Sequence, residues 1–176
     1  PAEALAELQK SRELFTRLRA EPQWMVLTPV EMKTETGAKM ELQKDGSVFV
    51  HEPAKNEPYS LVLQTELKGI KGLRLEVLSH ESLPAGGPGR AADGNFLLNE
   101  LTVEAAPRSD AKKVTKVTLL NPLGDYTEPT LGPNQLIDGA RAGTNGWGVA
   151  GSTGLVHWVT FETKAPLGYD GGTVLT

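Results

Sequence analysis

The 176-residue chain is predicted to be an all-β protein, a β-sandwich with one helix at its N-terminus. Three observations predict it. Short extended runs, alternating or continuously apolar, recur along the chain from Trp24 onward. Nineteen glycines and twelve prolines supply the turns between those runs. Helical spacing of apolar residues is confined to one stretch, Ala2–Ala20. With 39% apolar and 23% charged residues, the composition is that of a globular chain able to build a core.

In the helix Ala2–Ala20, Leu5, Leu8, Phe15 and Leu18 recur at roughly helical spacing, and Glu21-Pro22 ends it. It packs on a neighbouring domain or caps the sandwich, so residues 1–22 are a helix or linker from a parent protein and 23–176 are the β module. Trp24–Leu27 is a short apolar strand stopped by Pro29. Lys39–Leu42 and Ser47–Val50 flank Lys44-Asp45-Gly46, and Asp-Gly between extended runs signals a hairpin. Tyr59–Thr65 and Leu73–Leu78 alternate, with Leu73, Leu75 and Val77 sharing one face. Phe96–Val103, Lys113–Leu120, Gly146–Val149 and Val156–Glu162 complete the strands. Ala105–Lys112 is poor in bulky apolar residues and reads as a linker or, better, a long crossing loop. Thr173–Thr176 reads as a strand just beginning, as if the chain were cut from something longer, and leaves an edge that can recruit a partner strand.

Composition also excludes classes of function. A net charge of −4 and a pI near 5.5 argue against nucleic acid or an anionic membrane surface as the main partner. No run approaches the roughly 18 apolar residues of a membrane span. With no cysteine, disulfides, thiolate zinc sites and cysteine nucleophiles are excluded. Pro1–Lys10 reads as acidic and helical, without the basic and then apolar run of a secretory leader, so the expectation is either that export is not its fate or that the sequence starts after such a leader. The histidines, His51, His80 and His157, are scattered without metal-binding spacing, and no G-x-S-x-G elbow is present. Gly86-Gly87-Pro88-Gly89 leads toward a strand and not a helix N-terminus, which removes a phosphate loop. The expectation is therefore a non-catalytic module.

Sugar recognition uses an aromatic platform ringed by polar groups. Trp24 and Trp158 sit in apolar strands and read as core. Trp147, between two glycines, is the candidate platform, with packing as the alternative, and Tyr126 is the next. Arg90, after the glycine-rich loop, can donate to ligand hydroxyls or carboxylates, or else pair with Glu76 or Glu100. Asp93-Gly94-Asn95 is either a plain turn or, through Asp93 and Asn95, a source of oxygen ligands.

Two segments carry a family likeness. Leu83–Glu100 has the pattern LP-x-GGPGRA-x-x-GNF-x-L-x-E, and Ile137-Asp138-Gly139 is followed by Gly146-Trp147. Together they resemble a module of large secreted proteins of planctomycete type, which combine cytochrome-c-like segments with domains of unknown function. Asp138-Gly139, Thr144 and Trp147, with Leu98, Glu100 and Val103, also resemble landmarks of the discoidin and carbohydrate-binding galactose-binding fold, which implies that the sandwich is a jelly roll. The Asp-Gly…Trp element follows the L-x-E strand here, the reverse of the discoidin order. The resemblance implies a secreted, periplasmic or cell-surface protein whose ligand is a glycan or a domain of its parent. It also implies a structural calcium held by Asp138, Thr144 and Glu100 with loop carbonyls. A structural or self-associating domain is the alternative, and a glycoside-active enzyme the third reading.

Overall fold

The computed structural model describes residues 5–10, 22–51 and 57–176. Residues 5–10 are helical; the rest of the expected helix Ala2–Ala20 lies outside the described residues. Beyond that helical stretch the regular structure is mostly β-sheet, in three antiparallel sheets. The strands are β1 (Pro29–Thr34), β2 (Met40–Leu42), β3 (Val48–Val50), β4 (Tyr59–Thr65), β5 (Ile70–Val77), β6 (Val103–Pro107), β7 (Thr115–Val117), β8 (Leu119–Gly124), β9 (His157–Leu167) and β10 (Thr173–Leu175). One sheet has the order β1-β4-β10-β6-β7, another β5-β9-β8, and β2-β3 is a separate hairpin.

The Asp-Gly hairpin forms as expected. Met40 pairs with Val50 and Leu42 with Val48. Gly46 turns at φ +86°, and the Asp45 carboxylate accepts from the Ser47 amide at 3.0 Å. β4 and β5 also fall where alternation places them, and the Leu73, Leu75 and Val77 side of β5 packs on the core. That core draws Val103, Ala105, Val117 and Leu175 from the five-stranded sheet, and Leu119, Val159 and Phe161 from the three-stranded one. Leu136, Trp147 and Val149 enter from loops to complete it.

Five expectations are corrected. Trp24–Leu27 is not a strand; the ladder begins at Pro29 and pairs with β4 from there. Proline is tolerated at the first residue of a strand, so it marks a start here and not a stop. Phe96–Val103 and Gly146–Val149 are not strands but two crossing loops, joined by a single bridge between Leu98 and Trp147. Their glycines sit where backbones nearly touch: a Cβ at Gly148 would lie 2.8 Å from the Phe96 carbonyl oxygen. β6 instead occupies Val103–Pro107, inside the stretch read as a crossing loop. Ala105 and Ala106 are both buried, and their small size reflects close packing, not solvent exposure. Lys113–Leu120 is two strands, because the chain changes sheet at Thr118.

The C-terminal strand is not a free edge. β10 lies in the interior of its sheet, with Val174 opposite Gln64 of β4 on one side and Ala106 of β6 on the other.

Candidate functional site

The residues singled out in the two glycine-rich segments converge on one loop system, and they hold it together. Trp147 is 0% exposed. Its indole nitrogen donates to the Tyr126 carbonyl at 3.2 Å, and its ring meets Phe96 edge-on at 5.2 Å. The candidate platform is therefore a core residue with no ring face for a ligand. Tyr126 is half-buried, its hydroxyl donating to the Ala150 carbonyl at 2.6 Å. Asn95 uses its side-chain oxygen to accept from the Val149 amide at 2.7 Å, and Glu128 accepts from the Ala150 amide at 2.8 Å. Each of these bonds satisfies a backbone donor that strand pairing does not reach.

His157, 3% exposed, closes the same loop from below. One ring nitrogen faces Asp125 Oδ2 at 3.0 Å and the other the Ser152 carbonyl at 2.6 Å. The second Asp125 oxygen accepts from the Trp158 amide at 2.9 Å. Sequence spacing could not pair His157 with Asp125, 32 residues away; the β8–β9 pairing does so.

Arg90 pairs with neither Glu76 nor Glu100. Its guanidinium donates to the Val50 carbonyl and lies over the Phe49 ring, 5.2 Å from the centroid. His51 and His80 flank the same ring at 4.9 and 4.7 Å. The glycine-rich loop is thereby fastened to the β2–β3 hairpin. His51 also hydrogen-bonds Glu41 at 2.8 Å, which lowers the Glu41 carboxyl below its ordinary range. Tyr59 is shifted the other way, raised by burial and then by Glu57.

The residues of the implied calcium site are partly brought together. Glu100 Oε2 accepts from the Gly139 amide at 3.1 Å, and Asp138 Oδ1 from the Ala140 amide at 2.7 Å. Both carboxylates thus brace the Asp138–Ala140 turn. Thr144 is exposed, with no hydrogen bond to either. Among the described residues no three His, Asp or Glu side chains group as metal ligands would. A cation of this kind needs six to eight converging oxygens.

A different surface carries one exposed indole, Trp24, and one half-buried indole, Trp158. On β9, the central strand of the three-stranded sheet, His157, Val159 and Phe161 are buried, so Trp158, Thr160 and Glu162 point outward. Beside them on β5 stand Glu76, opposite Trp158, and Arg74, opposite Thr160. The Arg74 guanidinium lies 4.9 Å from the Trp158 ring centroid and bonds Glu76 at 2.8 Å. Across β8, Asn121 donates to Glu162 at 2.9 Å. Trp24, 41% exposed, lies over Gly72, which stands opposite Glu162. The two indoles are therefore about four residues apart along β9, or roughly 13 Å at the rise of a strand, with a polar row between them.

The sequence places Trp24 and Trp158 in apolar runs, which is why they read as core there. The missed signal is the alternation within Val156–Glu162: Val159 and Phe161 share one parity, Trp158 and Thr160 the other. Comparison of the chain with protein-family models, curated proteins and solved structures finds no match.

Proposed function

We propose that this chain is a non-catalytic β-sandwich module of jelly-roll, galactose-binding-like type that binds an extended glycan on the outer face of its three-stranded sheet. The observation that carries the reading is the pair of outward indoles, Trp24 and Trp158, spaced along one strand with Arg74, Glu76, Thr160, Glu162 and Asn121 between and beside them. Indole rings present apolar faces to sugar C–H groups, while guanidinium, carboxylate and amide groups satisfy sugar hydroxyls. Such a row suits a linear oligosaccharide lying along the strand better than a single sugar ring. The resemblance noted above supports placement of the module in a larger exported protein, where it would hold its parent to a polysaccharide. Self-association through the C-terminal strand loses its support, since β10 is already paired on both sides.

Affinity electrophoresis through gels containing soluble polysaccharides, backed by a glycan array, tests the reading. Retention should be lost in Trp158→Ala and in Trp24→Ala, with the thermal midpoint little changed. Retention by no glycan, or retention that survives both substitutions, overturns it.

A further inference from the structure

A second concavity lies away from the Trp158 end of β9, where that strand runs out beside β7. It is an open groove of about 320 Å³. Its floor is apolar: Ala105 and Val117 are buried, and Leu167 and Tyr169 are half-buried and pack on the core. Two exposed lysines line it, Lys116 on β7 and Lys164 on β9. The chain crossing between the sheets fixes their approach, because the Lys164 amide donates to the Thr118 carbonyl at 3.0 Å.

Neither lysine has a carboxylate within ion-pair distance among the described residues, although Glu104 stands opposite Lys116 across the β6–β7 ladder. Lys33, Lys68, Arg74 and Arg108 are paired with Glu31, Asp170, Glu76 and Glu66, whereas Lys39, Lys44, Lys71, Lys112, Lys113 and Arg141 have, like Lys116 and Lys164, no ion pair among the described residues; of these unpaired bases, Lys116 and Lys164 are the ones that line the groove. Two unpaired cations over a buried apolar floor are complementary to a molecule with one anionic end and an apolar body. The volume lies at the lower end of the range for small-ligand clefts, about 300–1,000 Å³. That size selects a small molecule over a protein segment.

We propose that this groove is a binding site for a small amphipathic monocarboxylate, its apolar body against Val117, Leu167 and Tyr169 and its carboxylate between Lys116 and Lys164. The site is independent of the glycan face, and neither reading requires the other.

Octanoate serves as the probe, titrated into the ¹⁵N-labelled protein and followed by amide chemical shifts. Saturable shifts should centre on Ala105, Val117, Lys164 and Tyr169, and the affinity should fall as salt rises. Lys116→Gln with Lys164→Gln should weaken binding about five- to tenfold, the scale of two exposed ion pairs, while leaving the thermal midpoint and the remaining spectrum in place. Octanol, of the same chain length without the charge, should bind as weakly to the wild type as octanoate does to the double variant. Shifts that do not saturate, shifts centred elsewhere, or equal octanoate affinity in wild type and double variant would each overturn the proposal.

Discussion

Gly89 shows how much of this protein is decided one atom at a time. A Cβ there would fall inside the carbonyl group of Asn95, with no flexible side chain to give way. Gly89→Ala should therefore destabilise the fold by about 1–3 kcal/mol or more, the scale of overpacking a tight site; urea unfolding checks this, and wild-type stability would refute it. Asn95 faces the opposite problem. Its side-chain oxygen is the acceptor for the amide of Val149, which is fully buried. Asn95→Ala should cost about 1–3 kcal/mol, the penalty for leaving a buried donor unpaired, whereas a residue serving only a ligand would leave the unfolding midpoint unmoved. The GGPG and GNF patterns made these positions visible as special. What Asn95 and the neighbouring Arg90 touch was not visible, because Val149 lies 54 residues from the first and Val50 lies 40 from the second.

Among the elements, β10 has the most consequence for its length. Its three residues bridge β4 and β6, so the five-stranded sheet exists only if both ladders form. Deleting Thr173–Thr176 should leave two unsatisfied strand edges and expose the core around Leu175, and the truncated chain should lose its cooperative thermal transition by circular dichroism. A cooperative transition near the wild-type midpoint would contradict the pairing. The turn before β10 is tied down by Lys68, whose ammonium bonds Asp170. That contact raises Lys68 and lowers Asp170 from their ordinary values. A carboxylate lowered in the folded state stabilises the fold above its unfolded value, and this contribution is lost as pH falls through the folded value. Both groups are exposed, so the effect on stability is small. The Asp170 titration by NMR should nevertheless have a midpoint below that of an unperturbed aspartate, and Lys68→Ala should restore the ordinary value.

For the molecule as a whole, the three tryptophans give the sharpest contrast. Trp147 is buried by two loops, whereas Trp24 and Trp158 face outward on one sheet. Trp147→Ala should cost about 3–5 kcal/mol, typical of a large buried side chain, and so impair every property of the chain together. Trp158→Ala should leave the melting temperature nearly unchanged and alter surface binding alone. Paired melting curves of the two variants decide whether the aromatics are divided this way. The prevalence of strands, the Asp-Gly hairpin and the inward face of β5 were legible in the sequence, because these depend on turn chemistry and a period of two within a few residues. The sequence also marked both glycine-rich segments as exceptional. Only the tertiary structure decided that those segments are crossing loops, that a short run of alanines is a core strand, and that the apparent terminal fragment lies inside a sheet. The reason is that pairing partners distant in sequence choose which extended segments become strands, and burial then follows from which face each residue presents.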